Sequence, residues 1–204
     1  MTNILHIACS PKGDTAHSFR IAEVLLAGLS ELHPGAVIST RRLGQSPPTF
    51  TTPGFAAEMM VHTTAESARD VETLQESERL IEELDGADLL VISTPMHNFT
   101  VPAVLKAWID QVVRFGRTFQ STPTGKVGLL RDKTVYVIIA SGGLFTGENP
   151  RQPDFLTPYL RAILATIGLK DIRFVSAESM SRGPGALAAG EASARAQIAA
   201  LLAK

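Results

Sequence analysis

Cysteine is nearly absent from the sequence: Cys9 is the single one in 204 residues, so no disulfide can form within the chain. A lone cysteine fits a reducing compartment and is more often a small buried residue than a reactive thiol. The first ten residues have neither the basic start nor the apolar run of a secretory signal, and no stretch approaches the roughly 20 apolar residues that cross a bilayer. We therefore expect a cytoplasmic protein without a membrane segment.

An excess of charge of one sign is also missing, since 19 basic and 20 acidic side chains give a formal net charge of −1. This balance favours neither nucleic acid nor an anionic membrane as a partner. Histidine is scarce, and His6, His33 and His62 show no metal-ligand spacing with one another or with Cys9. We therefore expect no metal site.

Long hydrophobic runs are absent as well, because the apolar runs are short and alternate with segments of helical periodicity. The apolar runs predict five buried strands, over residues 3–8, 36–43, 87–93, 134–140 and 172–177. The periodic segments predict five helices, over residues 16–32, 71–84, 102–115, 155–167 and 186–202, with a possible short helix over 55–60. We expect a long polar loop over 116–132.

Strands that are apolar throughout and separated by helices predict an α/β fold, in which helices cover both faces of a parallel sheet. The length fits one domain over residues 1–204. The first strand is then central, and ligands gather beyond the carboxyl ends of the strands. Three loops with unusual residues follow these strand ends.

The first loop spans residues 10–18 and joins the first strand to the first helix. It offers the hydroxyls of Ser10, Thr15 and Ser18 beside backbone N–H groups at a helix start, where anions bind. The loop matches neither a Walker P-loop nor a G-x-G-x-x-G motif, so the ATP and dinucleotide fingerprints are both missing. By itself the loop fits a phosphate site and a simple helix cap equally well.

The second loop spans residues 94–102, and prolines near both of its ends restrict it. Met96 and Phe99 offer flat or polarisable surface, while His97 and Asn98 offer hydrogen-bond donors and acceptors. A planar heteroaromatic ring needs both kinds of contact. Taken alone, a rigid turn with Met96 and Phe99 in the core explains the loop as well.

The third loop begins with Ser141, Gly142 and Gly143 after the fourth predicted strand. Two glycines at a strand end permit a close approach of a ligand to the backbone and permit positive φ angles. Their N–H groups can donate to the polar edge of a ring, although a tight turn needs the same residues. Together the three loops supply a phosphate end, a ring wall and ring-edge donors, a combination that fits FMN better than other common cofactors.

The segment PMHNFTVPAVLKAWIDQVVRFGRTF, residues 95–119, resembles the FMN-dependent NADH:azoreductase family of flavodoxin-like NAD(P)H:quinone and azo reductases. The residues that stand in the places of the family motif are Pro95, Met96, Asn98, Phe99, Leu105, Lys106 and Asp110. The chain length and the loops over 10–18 and 141–143 also match, so the resemblance covers essentially the whole chain. It implies a flavodoxin-like fold with a five-stranded parallel sheet in the order 2-1-3-4-5, and a homodimer with active sites at the subunit interface.

The resemblance further implies an enzyme that holds FMN, takes electrons from NADH or NADPH and passes them to a quinone or azo compound in a two-step ping-pong cycle. The residues implied to hold the phosphate are Ser10, His17 and Ser18. The residues implied to line the ring and the ribityl chain are Pro95, Met96, His97, Asn98 and Phe99. The residues implied to face the polar edge of the ring are Ser141, Gly142 and Gly143.

Several side chains keep two interpretations. His97 is the one acid–base candidate, although a hydrogen bond that positions the ring explains it more simply. Phe99 and Phe119 are candidate walls on which flat acceptors stack, or packing residues of the dimer interface. Lys106, Arg114 and Arg117 lie on or after the predicted helix that begins at Pro102, and we expect them on a solvated helical face rather than in contact with a substrate.

Other functions are compatible with the same fold. One is an NAD(P)H-dependent FMN or chromate-type reductase with a different donor or acceptor. Another is a flavodoxin-type one-electron carrier, although such carriers are usually strongly acidic and this chain is near neutral. A third is a non-catalytic sensor that keeps the fold without turnover.

Overall fold

Seven strands and six α-helices lie within residues 1–59 and 71–203, which the computed structural model describes. The strands are β1 (Asn3–Ala8), β2 (Val37–Arg42), β3 (Leu89–Pro95), β4 (Phe119–Thr122), β5 (Gly125–Gly128), β6 (Val135–Ala140) and β7 (Ile172–Ala177). The helices are α1 (His17–Leu32), α2 (Pro53–Glu58), α3 (Gln75–Asp85), α4 (Ala103–Val112), α5 (Thr157–Thr166) and α6 (Pro184–Leu202). The 3₁₀ turns Gly13–Thr15 and Glu72–Leu74 precede α1 and α3.

Five of these strands form one parallel sheet in the order β2-β1-β3-β6-β7. Counted along the sheet strands alone, this is the expected order 2-1-3-4-5, so the predicted sheet is confirmed. The register aligns Ala8 with Ser93, and Pro95 with Ala140. The three loops singled out from the sequence therefore leave the sheet at one edge, side by side.

Helices cover both faces of the sheet, as the apolar strands predicted. On one face α3, α4 and α5 pack over a core that includes Leu5, Ile7 and the buried Trp108. On the other face α1 and α6 pack over a core that includes Ile4 and Val91. Burial of each such aliphatic side chain contributes about 1.5–3 kcal/mol to stability. Because Ile4 faces one core while Leu5 and Ile7 face the other, this burial determines which face of the sheet each residue of β1 points to.

The expectation of an unstructured loop over 116–132 is wrong in its middle, where β4 and β5 form an antiparallel hairpin outside the main sheet. The hairpin residues are mostly exposed and polar, so they carry no apolar alternation that would have indicated strands. The side chain of Thr122 supports the turn, because its hydroxyl donates to the Gly125 carbonyl oxygen at 2.8 Å.

The predicted helix over 102–115 ends earlier, at Val112. Beyond it the chain folds into a turn, in which the Arg114 N–H donates to Thr118 Oγ1 at 2.9 Å and Gly116 adopts a φ of 73°. The possible helix over 55–60 is present as α2, although residue 60 lies outside the described residues. Thr52 caps α2 by accepting the N–H of Phe55 at 3.1 Å.

Candidate functional site

A cleft opens at the carboxyl edge of the sheet and joins parts of the first and third predicted loops to the end of β3. Its lining includes the predicted residues Ser10, His17, Ser18, Pro95 and Gly142. Sequence reasoning missed five further lining residues, which are Lys12, Ala16, Ala140, Met180 and Ser181. Lys12 lies inside the loop already singled out, whereas Met180 and Ser181 follow β7, a strand end to which we assigned no chemistry.

The first turn of α1 supplies backbone donors to this cleft. Ala16 occupies the N-cap position in extended conformation, and no side chain caps the helix there. The first N–H groups of an α-helix have no intrahelical acceptor, which leaves the amides of His17, Ser18 and Phe19 available to a ligand. Free amides and the positive end of the helix dipole together form an anion site.

The loop before α1 is held in shape by its own backbone. Ser10 accepts the Gly13 N–H through its carbonyl oxygen at 3.2 Å and the Lys12 N–H through Oγ at 3.3 Å. The chain after β2 packs directly against it, because a Cβ at Gly44 would lie 2.1 Å from the Ser10 carbonyl oxygen. Only glycine permits this approach, and it fixes the position of the Ser10 loop.

The second loop is a tight reversal at the end of β3. His97 and Thr100 exchange both backbone hydrogen bonds at 2.9 Å, and the two residues between them, Asn98 and Phe99, have positive φ angles of 48° and 69°. Asparagine tolerates this conformation, but phenylalanine is strained in it. Phe99 lies on the surface with 43% of its area exposed, so the interpretation of Phe99 as a core residue is wrong.

The third loop is tied to the second through Gln152. The Gln152 side-chain amide donates to Ser141 Oγ at 2.8 Å and lies 3.1 Å from the Met96 sulfur. A Cβ at Gly143 would lie 2.3 Å from the Gln152 side-chain oxygen, and one at Gly142 would lie 2.7 Å from the Ser181 hydroxyl. Gly142 and Gly143 therefore let these two side chains approach the backbone closely. Neither glycine has a positive φ angle; the positive φ angles beside the cleft occur in the second loop, at Asn98 and Phe99.

Not every predicted site residue reaches the cleft. His97, Asn98 and Phe99 are exposed beside it, and Met96 is half-buried behind them. Phe119 lies elsewhere, in an apolar groove between α4, α5 and the hairpin, where its ring meets Phe115 edge-on at 6.1 Å. Within one chain the structure therefore does not bring Phe99 and Phe119 together as two walls of one pocket.

Two titratable groups near the strand ends are buried and inert. Burial raises the pKa of the Cys9 thiol well above its usual range, which agrees with a packing role. Burial, and to a lesser degree the nearby Arg42 cation, lowers the pKa of His6 to about 4. Its Nε2 lies 2.8 Å from Ser93 Oγ, so His6 remains a neutral core residue around pH 7.

Two features are absent from the part of the chain that the structure describes: a cluster of metal-ligand side chains and a helix able to cross a bilayer. No group of three or more histidine, cysteine, aspartate or glutamate side chains is placed there to hold a metal ion; His62 lies outside it. None of the helices described has the length and apolar character needed to cross a bilayer.

Comparison with known proteins gives consistent results for fold and family. A family model described as flavodoxin-like fold matches residues 2–202. A structure of an azoreductase from Bacillus anthracis covers 99% of this chain and 99% of its own, with a TM-score of 0.83 at 23% identity. A second structure, an FMN-dependent NADH-azoreductase from the same organism in complex with FMN, has a TM-score of 0.80 at 24% identity over 99% of this chain and all of its own. At this identity the likeness establishes the fold.

Sequence relatives are closer. A protein from Pseudomonas fluorescens named FMN-dependent NADH:quinone oxidoreductase 4 is 44% identical over 189 residues, which are 93% of this chain and 90% of the relative. A protein from Burkholderia lata named FMN-dependent NADH:quinone oxidoreductase 5 is 45% identical over 184 residues, 89% of this chain and 87% of the relative. The chain therefore belongs to the flavodoxin-like family that includes the FMN-dependent NADH:quinone oxidoreductases.

Proposed function

We propose that the protein binds FMN in the cleft at the sheet edge and transfers electrons from NADH or NADPH to quinones and azo compounds. The observation that carries this proposal is the convergence of the Ser10–Ser18 loop, Pro95 and Gly142 on one cleft next to an uncapped helix start. The names of the relatives point to the same cofactor, donor and acceptor.

The phosphate end of the cleft fits a phosphomonoester. The amides at the start of α1, the hydroxyls of Ser10 and Ser18, and the His17 ring would supply hydrogen bonds to its three oxygens. Ser18 is buried and Ser10 is fixed by the close approach of Gly44, so these donors are positioned before any ligand arrives. Donors held in place reduce the entropy that binding would otherwise cost.

The ring end would be formed by the second and third loops. Pro95, Met96, Asn98 and Phe99 would line the ring and the ribityl chain, while Ser141, Gly142 and Gly143 would face the polar edge. His97 would position the ring or an acceptor by a hydrogen bond. Backbone amides of the glycines would stabilise negative charge on that edge, as preorganised donors do in other sites.

FMN bound in this cleft would supply the hydride and electron transfer chemistry between nicotinamide and acceptor, which would use one pocket in turn in a ping-pong cycle. The chain's part is to orient the rings, to exclude water and to hold the phosphate. Binding and orientation of this kind account for much of the protein's contribution in cofactor enzymes.

A second copy of the chain would complete the active site. Phe119, Phe115, Val113, Tyr159 and Ile163 line an apolar groove on the outer side of α4 and α5, which one chain leaves open. A homodimer would cover this groove and could bring Phe119 towards an acceptor stacked near Phe99 of the other protomer. Sedimentation velocity at micromolar concentration should give the mass of a dimer, and a monomer would contradict this arrangement. We also propose a cytoplasmic location, since Cys9 is free and buried.

FMN binding is tested directly by titration. Protein produced with ample riboflavin should be yellow, and stripped protein should quench added FMN fluorescence in a saturable way. Gly44→Ala should weaken FMN binding because its Cβ would lie 2.1 Å from the Ser10 carbonyl oxygen and displace the backbone of the Ser10 loop, whereas Gly185→Ala, where a Cβ meets nothing within 4 Å, should not. A colourless protein that takes up no FMN contradicts the proposal.

The reaction is tested by stopped-flow reduction of the bound flavin with NADH and with NADPH, followed by mixing with quinones, azo dyes and chromate. Rapid bleaching and rapid reoxidation by a quinone are expected. Bleaching without transfer to any quinone or azo compound would favour an electron carrier, chromate as the single acceptor would favour the other reductase branch, and no bleaching with either nicotinamide would favour a sensor.

A further inference from the structure

The imidazole of His17 has an unusual environment at the phosphate end of the cleft. His17 is the first residue of α1 and lines the cleft, and 30% of its side chain is exposed. Its Nδ1 atom is nevertheless buried and has no hydrogen-bond partner within the described residues. Buried polar atoms are almost always paired, so this nitrogen requires an explanation.

A carboxylate from another helix faces this nitrogen. Oε1 of Glu191, on α6, lies 3.5 Å from His17 Nδ1 and 3.4 Å from Nη2 of Arg20, one turn further along α1. Charge-assisted hydrogen bonds are usually about 2.7–2.9 Å long, so the carboxylate is within electrostatic reach of both groups and is not yet locked to either. A displacement of well under 1 Å would convert the first contact into a hydrogen bond.

A carboxylate behind a histidine has a known physical effect. It determines which ring nitrogen carries the first proton, fixes the orientation of the ring and stabilises the imidazolium form. If Nδ1 donates to Glu191, the other ring nitrogen, Nε2, is left to the cleft that His17 lines. A phosphomonoester carries a charge of about −1.5 to −2 near pH 7 and accepts strong hydrogen bonds from such a group.

We propose that Glu191 is a positioning residue for the cofactor phosphate, acting through Nδ1 of His17 so that Nε2 donates to a phosphate oxygen. This inference rests on the proposed function, because the phosphate site is the one assigned to FMN. The opposing effect is repulsion between the Glu191 carboxylate and the phosphate. Arg20 compensates the charge of this carboxylate, because its Nη2 lies 3.4 Å from the same oxygen.

The experiment compares two ligands that differ by the phosphate alone. Dissociation constants of FMN and riboflavin are measured by flavin fluorescence for the parent and for Glu191→Gln, Glu191→Ala and Glu31→Gln. Glu31 is an exposed carboxylate at the far end of α1, roughly 21 Å from His17 along the helix axis. The substitution Glu31→Gln removes the same charge as Glu191→Gln, but at a distance from the phosphate site at which salt screens its effect. Both changes at Glu191 should weaken FMN binding 5- to 10-fold and leave riboflavin unchanged, and Glu31→Gln should change neither.

A double-mutant cycle shows whether the effect passes through His17. In the His17→Gln background, Glu191→Gln should cause no further loss of FMN affinity. A further 5-fold loss in that background would overturn the inference. In the otherwise unchanged protein, the inference would be overturned if Glu191→Gln weakened FMN and riboflavin binding equally, tightened FMN binding or left it unchanged. Each of these results would leave the proposed function intact. A parent protein that binds no FMN would overturn the proposed function as well.

Discussion

Two carboxylates of this chain each face two basic side chains, but in opposite surroundings. Glu78 is 2% exposed; its two oxygens accept from Arg114 Nη1 at 2.6 Å and from Arg117 Nε at 2.9 Å. Glu191 is 20% exposed and faces His17 and Arg20 through one oxygen at 3.4–3.5 Å. One carboxylate facing two basic side chains therefore occurs twice: once as an interior cluster with short hydrogen bonds to both oxygens, and once as a cluster beside the cleft with longer contacts to one oxygen.

The difference between Glu78 and Glu191 shows that burial and hydrogen bonding distinguish a carboxylate that stabilises the fold from one that is available to a ligand. Around Glu78, Arg114 also donates to Ser77 Oγ at 3.1 Å, so the cluster joins α3 to the turn after α4 with little capacity left for a ligand. Burial lowers the pKa of Arg114, and the adjacent Glu78 carboxylate partly offsets this. Around Glu191 the contacts are long, and within residues 1–59 and 71–203 its second oxygen makes no ion pair, so this group can still respond to a ligand.

The largest effect should come from breaking the interior cluster. Glu78→Gln leaves Arg114 and Arg117 without their counter-charge in a dry environment, and removal of one partner of a buried pair typically costs about 3–5 kcal/mol. Urea unfolding should therefore show a much lower midpoint with an unchanged slope. Glu83→Gln is the matched control, because the Glu83–Arg41 pair is partly exposed and should lose no more than about 1 kcal/mol. A loss of the same small size at Glu78 would remove the distinction between the two clusters.

The interior cluster also shows where sequence reasoning stops. The sequence predicts Arg114 and Arg117 on a solvated face on or after a helix that continues to 115. This expectation is wrong, because 3% of the Arg114 side chain is exposed and Arg117 is largely buried. The helix ends at Val112, so both residues leave its periodicity, and their partner lies 36 to 39 positions earlier in the chain. Periodicity reports local structure and contains no information on such a long-range ion pair.

The sheet and the cleft were predictable for the opposite reason. Each buried strand is a local apolar run, and parallel strands bring their carboxyl ends together, so Ser10, Pro95 and Gly142 had to lie near one another. The positive φ angle at Phe99 was not predictable, because no local rule places a phenylalanine in that region. The Glu191 contact was also missed, since α6 packs against α1 although the two helices lie near opposite ends of the chain.

The next effect concerns His6, a histidine in the core, in contrast to His17 beside the cleft. His6 is fully buried, and its pKa is lowered to about 4. Between pH 6.5 and pH 4 the His6 ring is therefore protonated in the unfolded chain but neutral in the folded chain. Stability should therefore be complete above pH 6.5 and fall by about 3 kcal/mol as the pH drops to 4. Urea unfolding at several pH values should show this loss in the parent and in the control His33→Gln. His6→Gln should lack it, and an identical acid dependence in His6→Gln would contradict the assignment.

A smaller effect on stability is expected at Glu191, which is the converse of the result at Glu78. Its partners are partly exposed and its contacts are long, so Glu191→Gln should change the free energy of unfolding by less than about 1 kcal/mol. Urea unfolding of the flavin-free protein measures this without any contribution from bound ligand. A loss of about 3 kcal/mol or more would make Glu191 a structural residue like Glu78.

The smallest effect is expected at His97, a histidine at the cleft edge that has no carboxylate partner among the described residues. Its backbone is fixed by Thr100, but its exposed ring faces no carboxylate within the described residues, in contrast to the His17 ring, which faces Glu191. His97→Phe should therefore reduce the rate of flavin reoxidation by a quinone only a few-fold, whereas loss of a general acid or base typically costs about 10²- to 10⁴-fold. Anaerobic stopped-flow measurements over a range of pH provide the readout, and His97→Gln, which keeps a hydrogen-bonding group without titrating, should recover most of the difference. A hundredfold loss in both variants would assign proton transfer to His97 and show that a histidine beside this cleft needs no carboxylate partner.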